Sequence, residues 1–327
     1  MTIGVLGAGQ LGRMLALAGL PFGFRFRFLD PSPEPAAAAV GEHVRGEYRD
    51  PNAWARFADG LDVVTYEFEH VEPDALDWFQ TRLPVRPGLR ACQIASDRLE
   101  EKHFMLGLGA RVAEFAEVND LTTLRVAIER LGTPALLKTR REGYDGRGQV
   151  AIESLAGAEV AWNTIGRRPA VLERRVPFRR ELAVIAVRAL GGEIRIYPLV
   201  ETRHSRGVLA SALAPAPRVS EALRLEAEAL AVRVLEALDY VGVLTIECFE
   251  HEGRLIVNEL APRVHNSGHW TIEGAVTSQF ENHLRAITGL PLGSTEPRGH
   301  SGLVNLLGEI PRLDRVLSVS DAHVHVP

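Results

Sequence analysis

The opening of the chain contains the sequence feature that most restricts the fold. An apolar run at residues 3–6 is followed by Gly-Ala-Gly-Gln-Leu-Gly at 7–12 and by an apolar helical pattern that continues to Leu20. A strand, a glycine turn and a helix N-terminus in this order are typical of a parallel α/β unit. Two further apolar runs, at 24–29 and 61–66, extend the unit. We therefore predict an α/β fold that begins with a doubly wound parallel sheet.

The glycine turn does not by itself identify a ligand. With Asp30 as an acceptor for a ribose hydroxyl it fits an NAD(P)-dependent oxidoreductase, and it fits equally well any phosphate docked on a helix N-terminus. A packing role alone is the weaker alternative, because three glycines between a strand and a helix are costly unless the backbone must approach another group closely. The choice between a dinucleotide and a sugar phosphate stays open at this point.

Composition excludes several classes of function. The 327 residues, 46% of them hydrophobic, are enough for two or three domains. The formal net charge of −5 argues against a nucleic-acid-binding surface, no apolar run reaches the roughly 20 residues that cross a bilayer, and the start lacks the basic segment of a signal peptide. Cys92 and Cys248 are too few for a disulfide framework. We expect a cytoplasmic protein with small-molecule partners, and neither nucleic-acid nor membrane partners.

Lysine usage draws attention to two positions. Among 37 lysine and arginine residues, the only lysines are Lys102, in a helix predicted to begin with Ser96 as its N-cap and to end at Gly107, and Lys138. Nucleotide bias in the genome explains the excess of arginine, but it does not explain where lysine is kept. Because a compact ammonium meets a phosphate as a point charge, which a planar guanidinium does not, both lysines are candidates for phosphate chemistry.

A second glycine-rich segment follows Lys138, which ends a strand predicted at 135–138. Glycines alternate with polar residues from Gly143 to Gln149, so the amides of this loop can fold over phosphates whose charge Lys138 neutralises. A turn without function is the alternative, although ordinary hairpin loops have only about 2 to 5 residues.

The next candidate is the strand end at 173–176, which precedes Pro177. Its unpaired backbone groups could bind the edge of a purine ring, and Glu181 could accept hydrogen bonds from ribose hydroxyls. A solvated strand end explains this segment equally well.

Two acids on a predicted hairpin indicate a metal site. Strands at 241–249 and 254–260, with a turn centred on Glu252, would place Glu247 and Glu259 on one face together with Thr245 and Val257. Two carboxylates among apolar strands repel each other unless a cation lies between them, and Mg²⁺ is the oxygen-binding choice. Two exposed acids on a solvated face are the alternative.

The loop after this hairpin combines several reactive groups. Arg263 could bind a carboxylate or a carboxyphosphate, and His265 could exchange a proton with it near neutral pH, with Asn266 and His269 nearby. Zinc binding by the histidines is disfavoured, because no cysteine or further acid stands at ligand spacing. A structural role remains the alternative for His269.

Five motifs in order resemble the ATP-grasp superfamily and, within it, the 5-(carboxyamino)imidazole ribonucleotide synthases. They are GAGQLGRM at 7–14, EFEHV at 67–71, SDRLEEK at 96–102, GYDGRGQ at 143–149 and NELAPRVHNSGH at 258–269, and the resemblance runs from residue 3 to about 309. It implies a Rossmann-like N-terminal domain at 1–92, an ATP-grasp domain at 93–290 with a mobile lid at about 110–170, and a small, apparently shortened C-terminal domain at 291–327. It also implies a homodimer.

The resemblance implies a role for each matching residue. The implied ATP contacts are Arg98, Lys138, Gly143, Tyr144, Asp145, Gly146, Arg147, Gly148, Gln149, Glu173, Arg174, Arg175, Val176, Glu181, His204, Asn258 and Glu259. The implied metal ligands are Glu247 and Glu259, for Mg²⁺ or alternatively Mn²⁺, and the implied catalytic residues are Arg263, His265 and Lys138. The implied substrate contacts are Gln10, Leu11, Glu67, Asp145 and Asn266, with a substrate phosphate on the glycine turn.

The activity that follows is an ATP- and bicarbonate-dependent carboxylation of the exocyclic amine of 5-aminoimidazole ribonucleotide, through carboxyphosphate. Another ATP-grasp carboxylase or ligase, such as biotin carboxylase or the formate-using transformylase, is the nearest alternative, and the loop at 263–266 favours the first choice. An oxidoreductase would leave the second phosphate loop and the two acids unexplained. A non-catalytic nucleotide sensor would differ in not accumulating ADP.

One departure from the family concerns the end of the sequence. Family members usually continue into a basic segment with a lysine and arginines that helps to bind the ribonucleotide, and this segment is absent after Ala322. Either the sequence is shortened or the substrate site is closed in a different way. We expect the affinity for the substrate to differ between these two cases.

Overall fold

The structure is a computed structural model that describes residues 1–143, 146–308 and 312–326. Its strands are β1 (Thr2–Leu6), β2 (Arg25–Asp30), β3 (Glu42–Arg45), β4 (Val63–Tyr66), β5 (Phe115–Val118), β6 (Ala135–Thr139), β7 (Gln149–Ile152), β8 (Ala170–Arg174), β9 (Arg180–Arg188), β10 (Ile194–Ile196), β11 (Val200–Ser205), β12 (Val208–Ala214), β13 (Gly242–His251), β14 (Arg254–Ala261) and β15 (Ser301–Val304). Its α-helices are α1 (Gln10–Gly19), α2 (Pro51–Ala58), α3 (Pro73–Gln80), α4 (Leu89–Ala95), α5 (Arg98–Gly107), α6 (Leu121–Leu131), α7 (Ala158–Thr164), α8 (Glu221–Ala237), α9 (Thr271–Gly274), α10 (Gln279–Thr288) and α11 (Leu313–Val316).

The N-terminal sheet has the predicted doubly wound arrangement. Its strands lie in the order β3-β2-β1-β4, and each neighbouring pair is parallel. One face is covered by α2 and α3, which bury Phe57 and Phe79 against it. The other face is covered by α1 and by α10 from much later in the chain, which buries Phe280 and Leu284. Strands β1 and β4 are therefore buried along nearly their whole length, whereas β2 alternates Arg25 and Arg27 with the buried Phe26 and Phe28.

Two antiparallel sheets complete the fold. The first has the order β5-β8-β6-β7 and packs its apolar face on α6 and α7. The second has the order β14-β13-β9-β11-β12-β15, with β10 also paired to β9. Helix α8 covers one of its faces, and α10 packs on the other. Helix α10 therefore lies between the N-terminal sheet and this larger sheet and joins the two parts of the molecule.

The hairpin of β13 and β14 differs from the predicted register. Its turn has two residues, Glu252 and Gly253, which both have positive φ (49° and 73°), as a type I′ turn requires. The turn is therefore centred between these residues, and the prediction that it is centred on Glu252 was wrong. As a result Val257 pairs with Cys248 and packs in the apolar core beneath α8, on the face opposite to the predicted one.

A β-bulge restores the predicted placement of the two acids. Between the pairs Cys248–Val257 and Glu247–Glu259 the register shifts by one residue, so that Asn258 is the extra residue of β14. A bulge turns the residues beyond it to the other face of the sheet. Glu259 therefore lies directly opposite Glu247, whereas the regular register would have directed it into the core.

The start of α5 also differs from the prediction. The Asp97 carboxylate accepts a hydrogen bond from the Leu99 amide at 3.1 Å and is the N-cap, whereas the Ser96 hydroxyl donates to the Gln93 carbonyl at the end of α4. A carboxylate is the stronger cap at this position because it also interacts favourably with the positive end of the helix dipole.

Candidate active site

A cavity of about 460 Å³ lies between the three sheets. The predicted site residues that line it are Arg98, Lys138, Gly143, Gly146, Arg147, Gln149, Glu173, Arg174, Arg175, Val176, Glu181, His204, Glu247, Asn258, Glu259, Arg263, His265 and Asn266. Gly148 is next to this lining without being part of it, and Tyr144 and Asp145 lie outside the described residues. The volume is in the range of a nucleotide-sized ligand pocket. Segments that are far apart in the sequence therefore meet at one place.

Both lysines of the chain contact one carboxylate in this cavity. The Nζ atom of Lys138 lies 3.1 Å from Oε2 of Glu173, and the Nζ atom of Lys102 lies 3.2 Å from Oε1. All three side chains are buried. Burial would raise the pKa of Glu173, but the two ammonium groups, Lys138 first, outweigh it and hold the pKa at about 2. The carboxylate is therefore ionised, and it positions Lys138 at the cavity wall.

Lys138 retains the capacity to bind a phosphate. Its Nζ atom also donates to Oδ1 of Asn258, the bulge residue, at 3.3 Å. An ammonium has three N–H donors, and these two contacts use two of them. Burial lowers the pKa of Lys138, and the nearby charge of Glu173 opposes that effect. The β-bulge thus places an amide beside the lysine as well as a carboxylate in the cavity.

The two hairpin acids face the cavity as a cross-strand pair. Oε2 of Glu259 lies 3.2 Å from Nη1 of Arg98, and Oε1 of Glu247 lies 3.4 Å from Nε2 of His265. Burial, and next the charge of Glu259, raise the pKa of Glu247 to about 7. The ionised pair is therefore short of positive charge, which is the condition that a divalent cation would satisfy.

The donor set fits a metal that is shared with a ligand. The described part of the chain contains no group of three or more histidine, cysteine, aspartate or glutamate side chains arranged to hold a metal ion. Mg²⁺ is commonly bound by one or two carboxylates together with phosphate oxygens and water. Two glutamates that line one cavity together with Lys138 and Arg98 match that pattern.

A histidine connects the acids to Glu181. Oε2 of Glu181 accepts from Nδ1 of His204 at 2.9 Å, while Nε2 of His204 lies 3.8 Å from Oε1 of Glu247. Burial lowers the pKa of His204, but the hydrogen bond to Glu181 and the charge of Glu247 outweigh it and raise the pKa. Glu181 therefore faces the cavity with one oxygen already engaged.

The loop after β14 closes one end of the cavity. Nε of Arg263 lies 2.7 Å from Oε2 of Glu69, and Nδ1 of His265 lies 2.8 Å from Oγ of Ser267. Burial, and next the charge of Arg263, lower the pKa of His265 to about 3, so that its imidazole is neutral at pH 7. Oδ1 of Asn266 is buried without a hydrogen-bond partner within the described ranges.

Comparisons with known proteins agree with this geometry. Residues 103–280 match the model of the ATP-grasp domain, and residues 1–96 match that of the ribonucleotide synthetase preATP-grasp domain. The N5-carboxyaminoimidazole ribonucleotide synthase of Pseudomonas aeruginosa is 48% identical over 325 residues, which are 99% of this chain and 89% of that one. That of Brucella melitensis is 43% identical over 333 residues, covering 99% and 91%. The chain belongs to this family.

Solved structures of family members have the same fold. The crystal structure of the synthetase from Thermus thermophilus is 55% identical, with a TM-score of 0.95 over 99% of this chain and 88% of that one. The synthase of Aspergillus clavatus, in complex with ADP and 5-aminoimidazole ribonucleotide, is 33% identical with a TM-score of 0.90, covering 97% and 86%. The predicted family, the α/β fold with an ATP-grasp domain, and the enzyme class of ATP-dependent ligase are therefore confirmed. None of the described helices combines the length and apolar character needed to cross a membrane.

Several residues that line the cavity were not predicted as site residues, and three of them are titratable side chains near the predicted ones. Glu69, His70 and Glu101 all line the cavity. Glu101 accepts a hydrogen bond from the Leu260 amide, and burial followed by the charge of Glu259 raises its pKa to about 8. Glu69 and His70 lie in the EFEHV motif, and Glu101 lies beside Lys102 in SDRLEEK, so the family motifs are the sequence signal that contains these residues.

In this chain, the backbone amides of the glycine turn bind a carboxylate of the same chain. The amides of Gly9 and Gly12 each donate to Glu67, at 2.5 Å, and the Ala8 amide donates to Asp30 at 3.1 Å. A substrate phosphate could bind these amides only by displacing Glu67. Gln10 is exposed, Leu11 is buried, and neither these two residues nor Glu67 is part of the cavity lining.

This arrangement predicts a specific cost for a side chain at Gly7. Its φ is +99°, and an added Cβ would lie 2.5 Å from Cγ and Oε1 of Glu67. We expect Gly7→Ala to lower the free energy of unfolding by about 2–3 kcal/mol, from backbone strain and overpacking together. Gly23→Ala is the matched control, because its φ is +73° but nothing lies within 4 Å of the added Cβ, and we expect about 1 kcal/mol. Equal losses in urea unfolding would show that Glu67 does not pack on the turn.

Proposed function

We propose that this chain uses ATP and bicarbonate to carboxylate the exocyclic amine of 5-aminoimidazole ribonucleotide in de novo purine biosynthesis. The products are ADP, phosphate and 5-carboxyamino-1-(5-phosphoribosyl)imidazole. The observation that carries the proposal is one cavity lined by a lysine-backed glycine loop, two facing glutamates and the loop of Arg263 and His265. The names and ligands of the relatives support the same reaction.

ATP lies across the cavity in this proposal. The strand end at 173–176 binds the purine edge, Glu181 and His204 bind the ribose, and Lys138 and Arg98 meet the phosphates. The glycine loop at 143–149 closes over the phosphates, and the sheet of β5 to β8 moves with it as a lid. Closure excludes water, which would otherwise hydrolyse the reactive intermediate.

Glu247 and Glu259 would hold Mg²⁺, or alternatively Mn²⁺, against the phosphate oxygens. The metal supplies positive charge to the transferring phosphoryl group. The acids fit this role because burial and mutual repulsion already make the pair short of positive charge. Asn258 accepts a hydrogen bond of 3.3 Å from Lys138 and so fixes the ammonium group in the same cavity, where a bound metal would add its positive charge to that of the lysine.

The carboxylation proceeds in three steps. Arg263 binds bicarbonate, whose oxygen attacks the γ-phosphorus of ATP, so that ADP leaves and carboxyphosphate forms. Carboxyphosphate breaks into CO₂ and phosphate, and the substrate amine attacks the CO₂ carbon and loses one proton. His265 passes that proton to the released phosphate, because the pKa of its imidazole is lowered to about 3 and it cannot retain the proton, while Asn266 orients the CO₂.

The substrate lies toward the N-terminal sheet. Gln10 is exposed and contacts it, Leu11 contacts it through its backbone because its side chain is buried, and Glu67 accepts hydrogen bonds from it. Asp145 of the glycine loop completes the contact. We further propose a cytoplasmic homodimer without nucleic-acid or membrane partners, and domains at 1–92, 93–290 and 291–327.

An ADP-release assay on the purified chain tests the proposal. We expect 5-aminoimidazole ribonucleotide and bicarbonate together to stimulate ADP release, and label from bicarbonate to appear in the product. If neither compound raises ADP release above that with ATP alone, the assignment is rejected. Stimulation by biotin or by formate with glycinamide ribonucleotide would favour the other ATP-grasp enzymes instead.

A further inference from the structure

The cavity contains an ion pair that joins the two parts of the molecule. Glu69 follows β4 of the N-terminal sheet, and Arg263 follows β14 of the large antiparallel sheet. Oε2 of Glu69 lies 2.7 Å from Nε of Arg263, and the side chains are only 17% and 18% exposed. A short contact between charged groups at this distance is a charge-assisted hydrogen bond.

The charge of this pair is retained at neutral pH. Burial would raise the pKa of Glu69, but Arg263 outweighs that effect and lowers the pKa to about 2. A buried guanidinium without its carboxylate would be an uncompensated charge, so Arg263 is held to Glu69 rather than free to adopt other rotamers.

Glu69 is itself held in place by its own domain. Its carbonyl accepts a hydrogen bond from Sγ of Cys92 at 2.8 Å, and the ring of the preceding residue, Phe68, packs on Tyr48 with 5.0 Å between ring centroids. Both partners of these contacts belong to the N-terminal domain. The carboxylate is therefore a fixed point to which a residue of the other domain is attached.

The contact also selects which edge of the guanidinium remains for a ligand. Nε of Arg263 donates to Glu69, and Nη1 donates to the Val264 carbonyl at 3.3 Å. Within the described residues, Nη2 of Arg263 has no such contact. Arg263 lines the cavity beside His265, so Nη2 is the nitrogen that remains for a ligand. A planar guanidinium binds a planar anion well only when its plane is fixed.

We infer that Glu69 is a positioning residue, which holds Arg263 in the orientation that binds bicarbonate and carboxyphosphate. This inference rests on the proposed function of Arg263. It has a structural consequence: the bicarbonate site is complete only when the N-terminal domain is docked on the ATP-grasp domain.

Steady-state kinetics of Glu69→Gln test the inference on the full chain. Glutamine keeps the size and one acceptor oxygen but removes the charge that holds Arg263. We expect kcat/KM for bicarbonate to fall by about 10- to 100-fold, since a displacement near 1 Å has effects of this order. The KM for ATP should stay within about twofold of the wild-type value, because the contacts of Glu69 within the described residues are to Arg263 and Cys92 and not to the glycine loop.

Thr65→Val is the matched control for domain docking. Oγ1 of Thr65 forms a hydrogen bond of 2.9 Å with Nε2 of His283, which also joins the N-terminal sheet to α10, and neither residue lines the cavity. We expect this variant to change the KM for bicarbonate and for ATP by less than about twofold. Equal losses for both substrates in Glu69→Gln, matched by Thr65→Val, would overturn the inference, as would unchanged kinetics of Glu69→Gln.

Two further measurements separate this inference from the proposed function. If Glu69→Gln does not fold, Glu69→Asp keeps the charge but retracts it, and wild-type bicarbonate kinetics for that variant would overturn the inference. A wild-type enzyme that consumes no bicarbonate would reject the proposed function alone. In that case a crystal structure of the Glu69 variant tests the positioning role by itself. We expect the Arg263 guanidinium to leave its wild-type orientation, and an unmoved guanidinium would overturn the positioning role.

Discussion

Glu173→Gln should lower the free energy of unfolding by about 3–5 kcal/mol, which is the usual cost of removing one partner from a buried ion pair. Glu173 is 3% exposed, and its carboxylate is shared by Lys138 and Lys102, which are 5% and 2% exposed. A neutral amide would leave two ammonium groups close together without a counter-charge. Urea unfolding followed by circular dichroism measures the loss.

Two controls distinguish charge from packing. Glu159→Gln removes an acid of α7, which packs on the same sheet as β8, and its contact with Arg125 is 3.9 Å long and exposed, so we expect no measurable change. Adding Lys102→Met to Glu173→Gln removes one of the two uncompensated charges, so the double variant should recover part of the lost stability. No recovery would mean that the loss comes from packing rather than from the unpaired ammonium groups.

The same interaction predicts a pH dependence. Since the pKa of Glu173 in the folded state is lowered to about 2, its contribution is fully present above its ordinary pKa and is lost as pH falls toward 2. The stability difference between the wild type and Glu173→Gln should therefore be largest at neutral pH and should shrink below about pH 4.5. A difference that grows on acidification would contradict the ion pair.

Glu259→Gln should lower kcat/KM for ATP with Mg²⁺ by about 100-fold or more. Loss of groups that merely support metal ligands already costs about 10- to 100-fold in metal affinity, and Glu259 is proposed as a direct ligand. Glu259 is also directly opposite Glu247, so its loss removes half of the carboxylate pair. We expect the Mg²⁺ concentration for half-maximal ADP release to rise, and the circular dichroism spectrum to stay unchanged.

Glu252→Gln is the control for this variant. It removes an acid from the turn of the same hairpin, where the side chain is 84% exposed and outside the cavity. We expect its Mg²⁺ dependence and turnover to match those of the wild type. Unchanged Mg²⁺ dependence in Glu259→Gln would remove the metal role from the pair and leave Glu259 as a partner of Arg98.

Local signals were sufficient for the regular parts of the fold. The strand, glycine turn and helix at the start were predictable because apolar runs and glycines specify backbone conformation over a few residues. The hairpin was predictable for the same reason. Its register was not, because it depended on a type I′ turn at Glu252 and Gly253 and on a bulge at Asn258 that a pattern of apolar residues does not reveal.

The two hairpin acids have the predicted placement, but for a different structural reason from the predicted one. Glu247 and Glu259 do share a face, as predicted, but a regular ladder from the observed turn would have separated them. The inserted residue Asn258 corrects the register and itself contacts Lys138. The candidate site therefore depends on an irregularity that was not visible in the sequence pattern.

The sequence by itself determined the α/β fold, the family and the residue types that are proposed to meet phosphate, because these follow from short segments whose chemistry is local. Only the tertiary structure decided that Lys102 and Lys138 share Glu173, that Glu67 occupies the amides of the glycine turn, and that Glu69 holds Arg263. These are contacts between buried charges far apart in the chain. Their partners are chosen by the packing of whole domains, since a buried charge must find a counter-charge wherever the fold places one.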